Sequence, residues 1–242
     1  MNILVVDVGG SKVKVAIGAG YTGKPDSIGS FDSGKDLTPK AMLKQLSRLT
    51  DGHQIDCVTI GVPAVCSYDT ILTSPVNLGK GWAGFNFKSE FEQEVRIIND
   101  AAMQALGFIP SLMTFDPVPP RVLFLGLGTG LGSAIIQSTQ DGFGGAVVLP
   151  LETGHMPYKN GKSFEDYVGK AALERMGKKK WKKHVMQVID ILSDGFLADK
   201  VLLGGGNAEL FDELPENVVK GNNEMAFVGG CYLRFNHSHF GL

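Results

Sequence analysis

The chain lacks any pair of cysteines spaced for a disulfide framework or a structural zinc site: Cys57, Cys66 and Cys231 are scattered and odd in number. They read as buried thiols in a reducing compartment. It also lacks an excess of either charge, with 23 Lys and Arg against 25 Asp and Glu for a net −2, so no global field draws it to nucleic acid or an anionic membrane. No apolar run approaches the roughly 18 residues that span a bilayer. The N-terminus enters a short strand and Asp7 without a basic region followed by an apolar stretch, so no secretion signal is read and a cytoplasmic protein is expected. No Gly-x-x-x-x-Gly-Lys-Ser/Thr phosphate loop occurs. A dinucleotide fingerprint laid on Gly126 to Ser133 puts its third glycine on Leu131 or Ser133, depending on the register.

What the chain does have is glycine, 32 of 242 residues, without the periodicity of collagen or low-complexity sequence. Apolar content of 43% supports a real core and two small domains. Two glycine segments share one design: Asp7-Val8-Gly9-Gly10-Ser11-Lys12-Val13-Lys14 and Gly126-Leu127-Gly128-Thr129-Gly130-Leu131-Gly132-Ser133. Each lies between β-branched or apolar runs and predicts strand, tight turn, strand. Glycine lets backbone N–H groups approach an anion, and Ser11 or Thr129 adds a hydroxyl. Each turn alone reads equally well as an ordinary hairpin. Two of them could grip one extended phosphate chain from both sides. Neither runs directly into a helical pattern, unlike the Rossmann site.

The pattern predicts strands near 2–6, 13–18, 27–31, 56–61 and 95–98, with a helix near 38–50 and another at about 100–107. It restarts at Arg121 with strand, glycine turn, strand to Ile136 and a short strand at 145–149. Helices are expected over 163–176 and 178–194, a strand over 199–203 and a last helix near 222–233. Two α/β halves with related openings suggest duplicated domains with a ligand cleft between them.

Asp100 follows the apolar strand Val95-Arg96-Ile97-Ile98 and precedes a helical run, a place where a carboxylate caps a helix or acts as a base. Transfer of a phosphoryl group to an alcohol needs alignment, charge neutralisation and an acceptor for the hydroxyl proton. Asp100 suits that acceptor, with Asn99 orienting the alcohol. Glu152-Thr153-Gly154-His155 places a carboxylate and an imidazole three residues apart on a turn, able to hydrogen-bond adjacent sugar hydroxyls; a structural histidine and a metal ligand are the alternatives. Glu165 opens a predicted helix, where a carboxylate also suits the macrodipole. Gly204-Gly205-Gly206-Asn207 after a strand allows close approach of a flat ligand or a phosphate. Gly61 to Ala64 and Pro75 to Trp82 read as loops at the rim of the cleft, or as ordinary loop packing. Lys178, Lys179, Lys180, Lys182 and Lys183 form the dense basic run, a solvated helix face or a track for a polyanionic donor. Trp181 within it reads as a core anchor.

With these residues assembled, the chain resembles the ROK family of bacterial sugar kinases (repressors, open reading frames, kinases). Asp7 to Lys14 is similar to its first phosphate motif, Leu125 to Ala134 to its second, Asn99-Asp100 to its catalytic pair and Glu152-Thr153-Gly154-His155 to its Glu-x-Gly-His sugar motif. The cysteine-rich zinc motif that most members carry after the histidine is absent, and Lys162 to Tyr167 stands in part of its span. That feature, with the basic run and Val201 to Asn207, resembles the polyphosphate glucokinase branch. The resemblance implies an actin-like ATPase (ribonuclease H-like) α/β fold of two domains, 1–100 completed by a C-terminal helix at about 222–242, and 101–221. It implies glucose held by Asn99, Asp100, Glu152, His155 and Glu165, with Asp100 as base. Donor phosphates, from ATP or polyphosphate, fall to Asp7, Gly9, Gly10, Ser11, Lys12 and Lys14, to Gly128, Thr129 and Gly130, and to Gly204, Gly205, Gly206 and Asn207. Asp7 would hold Mg²⁺ through water. No zinc, nucleic acid or membrane partner is expected, and a homodimer is. With Asp7 six residues from the start, the DNA-binding segment of the family's repressors is not expected.

Overall fold

The computed structural model describes residues 1–20, 24–138, 146–222 and 224–235. They divide into two compact units: residues 1–107 with the C-terminal stretch from Glu224, and the residues from Phe108 to Asn222.

The first unit is built on β1 (Asn2–Val8), β2 (Lys12–Ala19), β3 (Asp26–Asp32), α1 (Pro39–Leu49), β4 (Cys57–Val62), the small hairpin β5 (Cys66–Ser67) and β6 (Thr70–Ile71), and β7 (Glu94–Asn99) leading into α2 (Asp100–Leu106). Its sheet runs β3-β2-β1-β4-β7, antiparallel through β1 and parallel from β1 to β7. β4 is buried at every residue and β1 at most, as expected of strands covered on both faces. On one face lies α1, capped by Thr38 Oγ1 accepting from Ala41 N at 3.2 Å and opened by Pro39, with Met42 and Leu46 in a core shared with Trp82 and Phe87.

The last helix belongs to this unit. A Cβ on Gly229 would overlap the Met103 carbonyl oxygen, one on Gly107 would overlap that of Met225, and one on Gly230 would press on Val5. Three positions without side chains thus let the C-terminal helix lie against α2 and β1.

The second unit opens with α3 (Ile109–Leu112) and continues through β8 (Arg121–Leu127), β9 (Leu131–Ser138), β10 (Ala146–Leu151), the hairpin β11 (Pro157–Lys159) and β12 (Lys162–Ser163), α4 (Glu165–Val168), α5 (Lys170–Met176), α6 (Lys178–Phe196), β13 (Lys200–Gly204) and β14 (Val218–Lys220); α7 (Met225–Phe235) is the returning helix of the first unit. The second sheet runs β10-β9-β8-β13-β14 with the directions of the first. α6 buries Trp181, Val185, Val188, Ile189 and Leu192 on β8 and β13, and Trp181 Nε1 donates to the Val168 carbonyl at 2.9 Å, the core anchor expected. The single helix expected over 163–176 is instead broken at Gly169. There the chain turns extended so that Lys170 N can donate to Thr129 O at 3.1 Å, an approach that leaves a Cβ on Gly169 only 2.9 Å from that oxygen.

Candidate functional site

In the first unit the β1–β2 turn is closed by Gly9 N donating to Lys12 O at 2.9 Å. Ser33, just past β3, secures it: its Oγ donates to Gly9 O at 2.6 Å and its N–H to Ser11 O at 3.1 Å. Gly9 and Gly10 are half-buried, while Ser11 and Lys12 are exposed. Asp7 faces Lys14 across the ladder, with Lys14 Nζ 3.9 Å from its Oδ2. Its carboxylate is only 15% exposed; burial pushes its pKa up, and the lysine charge opposes that rise.

Asn99 and Asp100 divide the work at the β7–α2 junction. The helix is capped by Asn99, whose Oδ1 accepts from Ala101 N at 3.0 Å and Ala102 N at 3.1 Å, while its Nδ2 donates to Ala64 O at 3.3 Å. Asp100 is the first helical residue and accepts from Ala101 N at 2.9 Å. Beneath it a Cβ on Gly61 would come within 3.4 Å of the Asp100 Cα and against the end of Met103, so this glycine sets how closely α2 sits on β4. Cys66 is a neighbour: burial, then Asp100 and Asp69, push its thiol up to about 12. The loops at Gly61 to Ala64 and Pro75 to Trp82 are tied into the fold, the second by Trp82 Nε1 and Gly79 N both donating to Leu37 O.

In the second unit the β8–β9 turn is closed by Gly128 N donating to Gly130 O at 3.1 Å. Asn207 Nδ2 donates to Gly128 O at 3.3 Å, and Gly205, at φ +80°, has the backbone of Leu127 where a Cβ would stand. The Gly204 to Asn207 run therefore buttresses the second turn. Glu152, Thr153, Gly154 and His155 follow β10. Ser133 Oγ, buried in β9, accepts from Thr153 Oγ1 at 2.8 Å and from Thr153 N at 3.2 Å, and donates to Leu151 O at 3.0 Å. That network leaves Glu152 and His155 exposed, with His155 Nε2 3.8 Å from Glu152 Oε2. Partial burial raises the Glu152 pKa, His155 opposes the rise and the Glu165 carboxylate adds to it. Glu165 does not cap its own helix; its Oε2 accepts from Leu131 N at 3.1 Å, at the exit of the glycine turn.

Lys178, Lys179, Lys180 and Lys183 are exposed on the first turns of α6, and none has an acidic partner among the described residues. Lys182 differs, with Nζ 3.5 Å from Asp212 Oδ2 and over the Phe211 ring. Among the described residues no group of three His, Cys, Asp or Glu side chains is placed to hold a metal ion, and the three cysteines are buried in the first unit. The structure thus brings Asp7, Gly9, Gly10, Ser11, Lys12 and Lys14 onto one turn, sets Asn99 and Asp100 at one strand end of the same sheet, and clusters Gly128, Thr129, Gly130, Gly205, Asn207, Glu152, His155 and Glu165 in the second unit. Ser33 and Gly169 act on these residues from elsewhere in the chain, where no local pattern marks them, whereas Gly61 and Ser133 lie in segments already marked in the sequence, as a rim loop and as the end of the second glycine motif.

The ROK family's sequence profile matches residues 3–174. The polyphosphate glucokinase of Mycobacterium tuberculosis is 27% identical over 219 residues, covering 86% of this chain and 78% of that protein. Among solved structures, the inorganic polyphosphate/ATP-glucomannokinase of Arthrobacter sp. strain KM superposes with a TM-score of 0.80 at 19% identity, covering 97% of this chain and 99% of that one. The ROK family glucokinase of Streptomyces griseus, solved with glucose and AMPPNP, gives 0.71 at 17% identity over 98% and 100% of the two chains. The architecture, with the same strand order in both sheets, is the actin-like ATPase fold.

Proposed function

Because the chain belongs to the ROK family, we propose that it is a glucokinase that moves a phosphoryl group from ATP or inorganic polyphosphate to the 6-hydroxyl of glucose. The observation that carries this reading is the equivalence of the two glycine turns. Each joins the central strand of its sheet to the antiparallel neighbour, β1 to β2 and β8 to β9. Both are held by side chains from outside the turn, Ser33 in one case and Asn207 in the other. Backbone cradles braced in this way suit phosphate oxygens, whose charge is spread and which need fixed donors more than covalent chemistry.

Asp100 takes the proton of the 6-hydroxyl as its oxygen bonds to the terminal phosphorus and the bond from that phosphorus to the rest of the donor breaks. Asn99 contributes alignment: two of its hydrogen bonds cap α2 and one holds Ala64, leaving a single amide N–H for a sugar oxygen. Glu152 and His155 read further hydroxyls. Asp7 fits the role of a magnesium anchor through water, since its carboxylate is buried at a cost that Lys14 only opposes. The cation supplies neutralisation of donor charge.

The test is a coupled assay of glucose 6-phosphate formation with ATP and with polyphosphate, beside direct detection of the sugar phosphate formed from mannose, glucosamine and N-acetylmannosamine. Mannose is included because the Arthrobacter neighbour is a glucomannokinase. Asp100→Asn is expected to lower kcat by about 10²–10⁴-fold while glucose still binds. Full turnover by a folded Asp100→Asn protein overturns the assignment.

A further inference from the structure

Glu165 stands where three glycines from three separate segments leave room for it. A Cβ on Gly130, in the second turn, would overlap Glu165 Oε2. One on Gly154, in the Glu152 to His155 turn, would lie 3.4 Å from the same oxygen and 2.8 Å from Leu131 O. Gly169 donates its N–H to Glu165 O at 2.9 Å, and the next residue, Lys170, donates to Thr129 O. Oε2 accepts the Leu131 amide at 3.1 Å. One carboxylate is thus wedged between the glycine turn and the Glu-x-Gly-His turn, hydrogen-bonded to the first and electrostatically coupled to Glu152 of the second.

From this placement we infer that Glu165 is a positioning residue for the donor turn, in addition to any contact it makes with the acceptor, and that acceptor and donor binding are coupled through it. The inference rests on the reading that residues 128–130 hold donor phosphate. One oxygen serves the turn's backbone, so a hydroxyl meeting the carboxylate from the acceptor side bears on the same group that orders Gly128 to Leu131. Occupancy of either half then favours the ordered state that the other half needs. A residue that served the sugar alone would not need an oxygen against a donor-loop amide.

Two variants separate the roles. Glu165→Gln keeps the side-chain length and an oxygen for Leu131 N, so it should raise the sugar KM while leaving the donor KM within about two-fold. Glu165→Asp keeps the charge but is one methylene short of the Leu131 amide; the donor KM is expected to rise about ten-fold, in line with loss of the hydrogen bond that orders the turn. Amide exchange in the peptide spanning 128–131 should quicken in Glu165→Asp and stay near wild type in Glu165→Gln, a readout that needs no turnover. Calorimetry of AMPPNP and tripolyphosphate with and without glucose should show several-fold tighter donor binding to the glucose complex, and less gain in Glu165→Asp. An unchanged donor KM and unchanged exchange in Glu165→Asp would overturn the inference. Absence of turnover with every sugar and donor, alongside the expected exchange pattern, would count against the kinase reading instead.

Discussion

Asp7 sets folding against function. Its pKa is raised chiefly by burial. A carboxyl of this kind binds protons more readily folded than unfolded, so its contribution to stability is most favourable below the unfolded pKa and is lost as pH rises through the folded value; at neutral pH the cost is fully present. Asp7→Asn should therefore raise the melting temperature at pH 7.5, and the gain should vanish near pH 3, where the aspartate is neutral in both states. The same change is expected to lower kcat by about 10²-fold, the scale of losing one preorganised charge at a phosphate site. Thermal melts at the two pH values, beside the coupled assay, check both halves; a lower melting temperature at pH 7.5 would mean that the Lys14 pairing outweighs burial. Asp7, Asn99 and Asp100 are legible as polar residues at ends of apolar runs, and Glu165 as an acid opening a predicted helix. Their division of labour is not: backbone angles make Asn99 the cap, and a partner 34 residues earlier in the chain claims Glu165.

Among the elements, helices show how one substitution takes opposite signs. Gly195 lies exposed in α6 with open space where a Cβ would stand, whereas a Cβ on Gly229 in α7 would enter the Met103 carbonyl. Gly195→Ala should stabilise by about 0.5–1 kcal/mol through helix propensity, and Gly229→Ala should destabilise by about 1–3 kcal/mol through overpacking. Chemical denaturation of the two variants measures both, and similar shifts of the same sign would refute the packing account of α7. Long amphipathic elements such as α6 are legible because burial repeats with the helical period. The break at Gly169 is not, since it answers to Thr129, forty residues earlier, and β14 is only three residues beside Pro215.

For the molecule as a whole, the restart of the pattern at Arg121 showed duplication, but the shared strand order arises from pairings across crossovers that no local signal carries. The charge distribution has the same character. A net charge of −2 hides four exposed lysines without acidic partners among the described residues, within six residues at the start of α6. Solvated lysines hold nothing in place, so Lys179→Ala with Lys180→Ala should change stability by less than about 0.5 kcal/mol. A long polyanion samples such a patch through many phosphates at once, whereas ATP presents a short charged tail to the glycine turns. The double variant is therefore expected to raise the KM for polyphosphate about ten-fold and that for ATP less than about two-fold. Added salt should weaken polyphosphate use in the wild type and narrow the gap between the two proteins, because exposed charges are screened within about 10 Å at 0.1 M. Equal losses for both donors, or a salt response that the double variant leaves intact, would remove the basic run from donor binding.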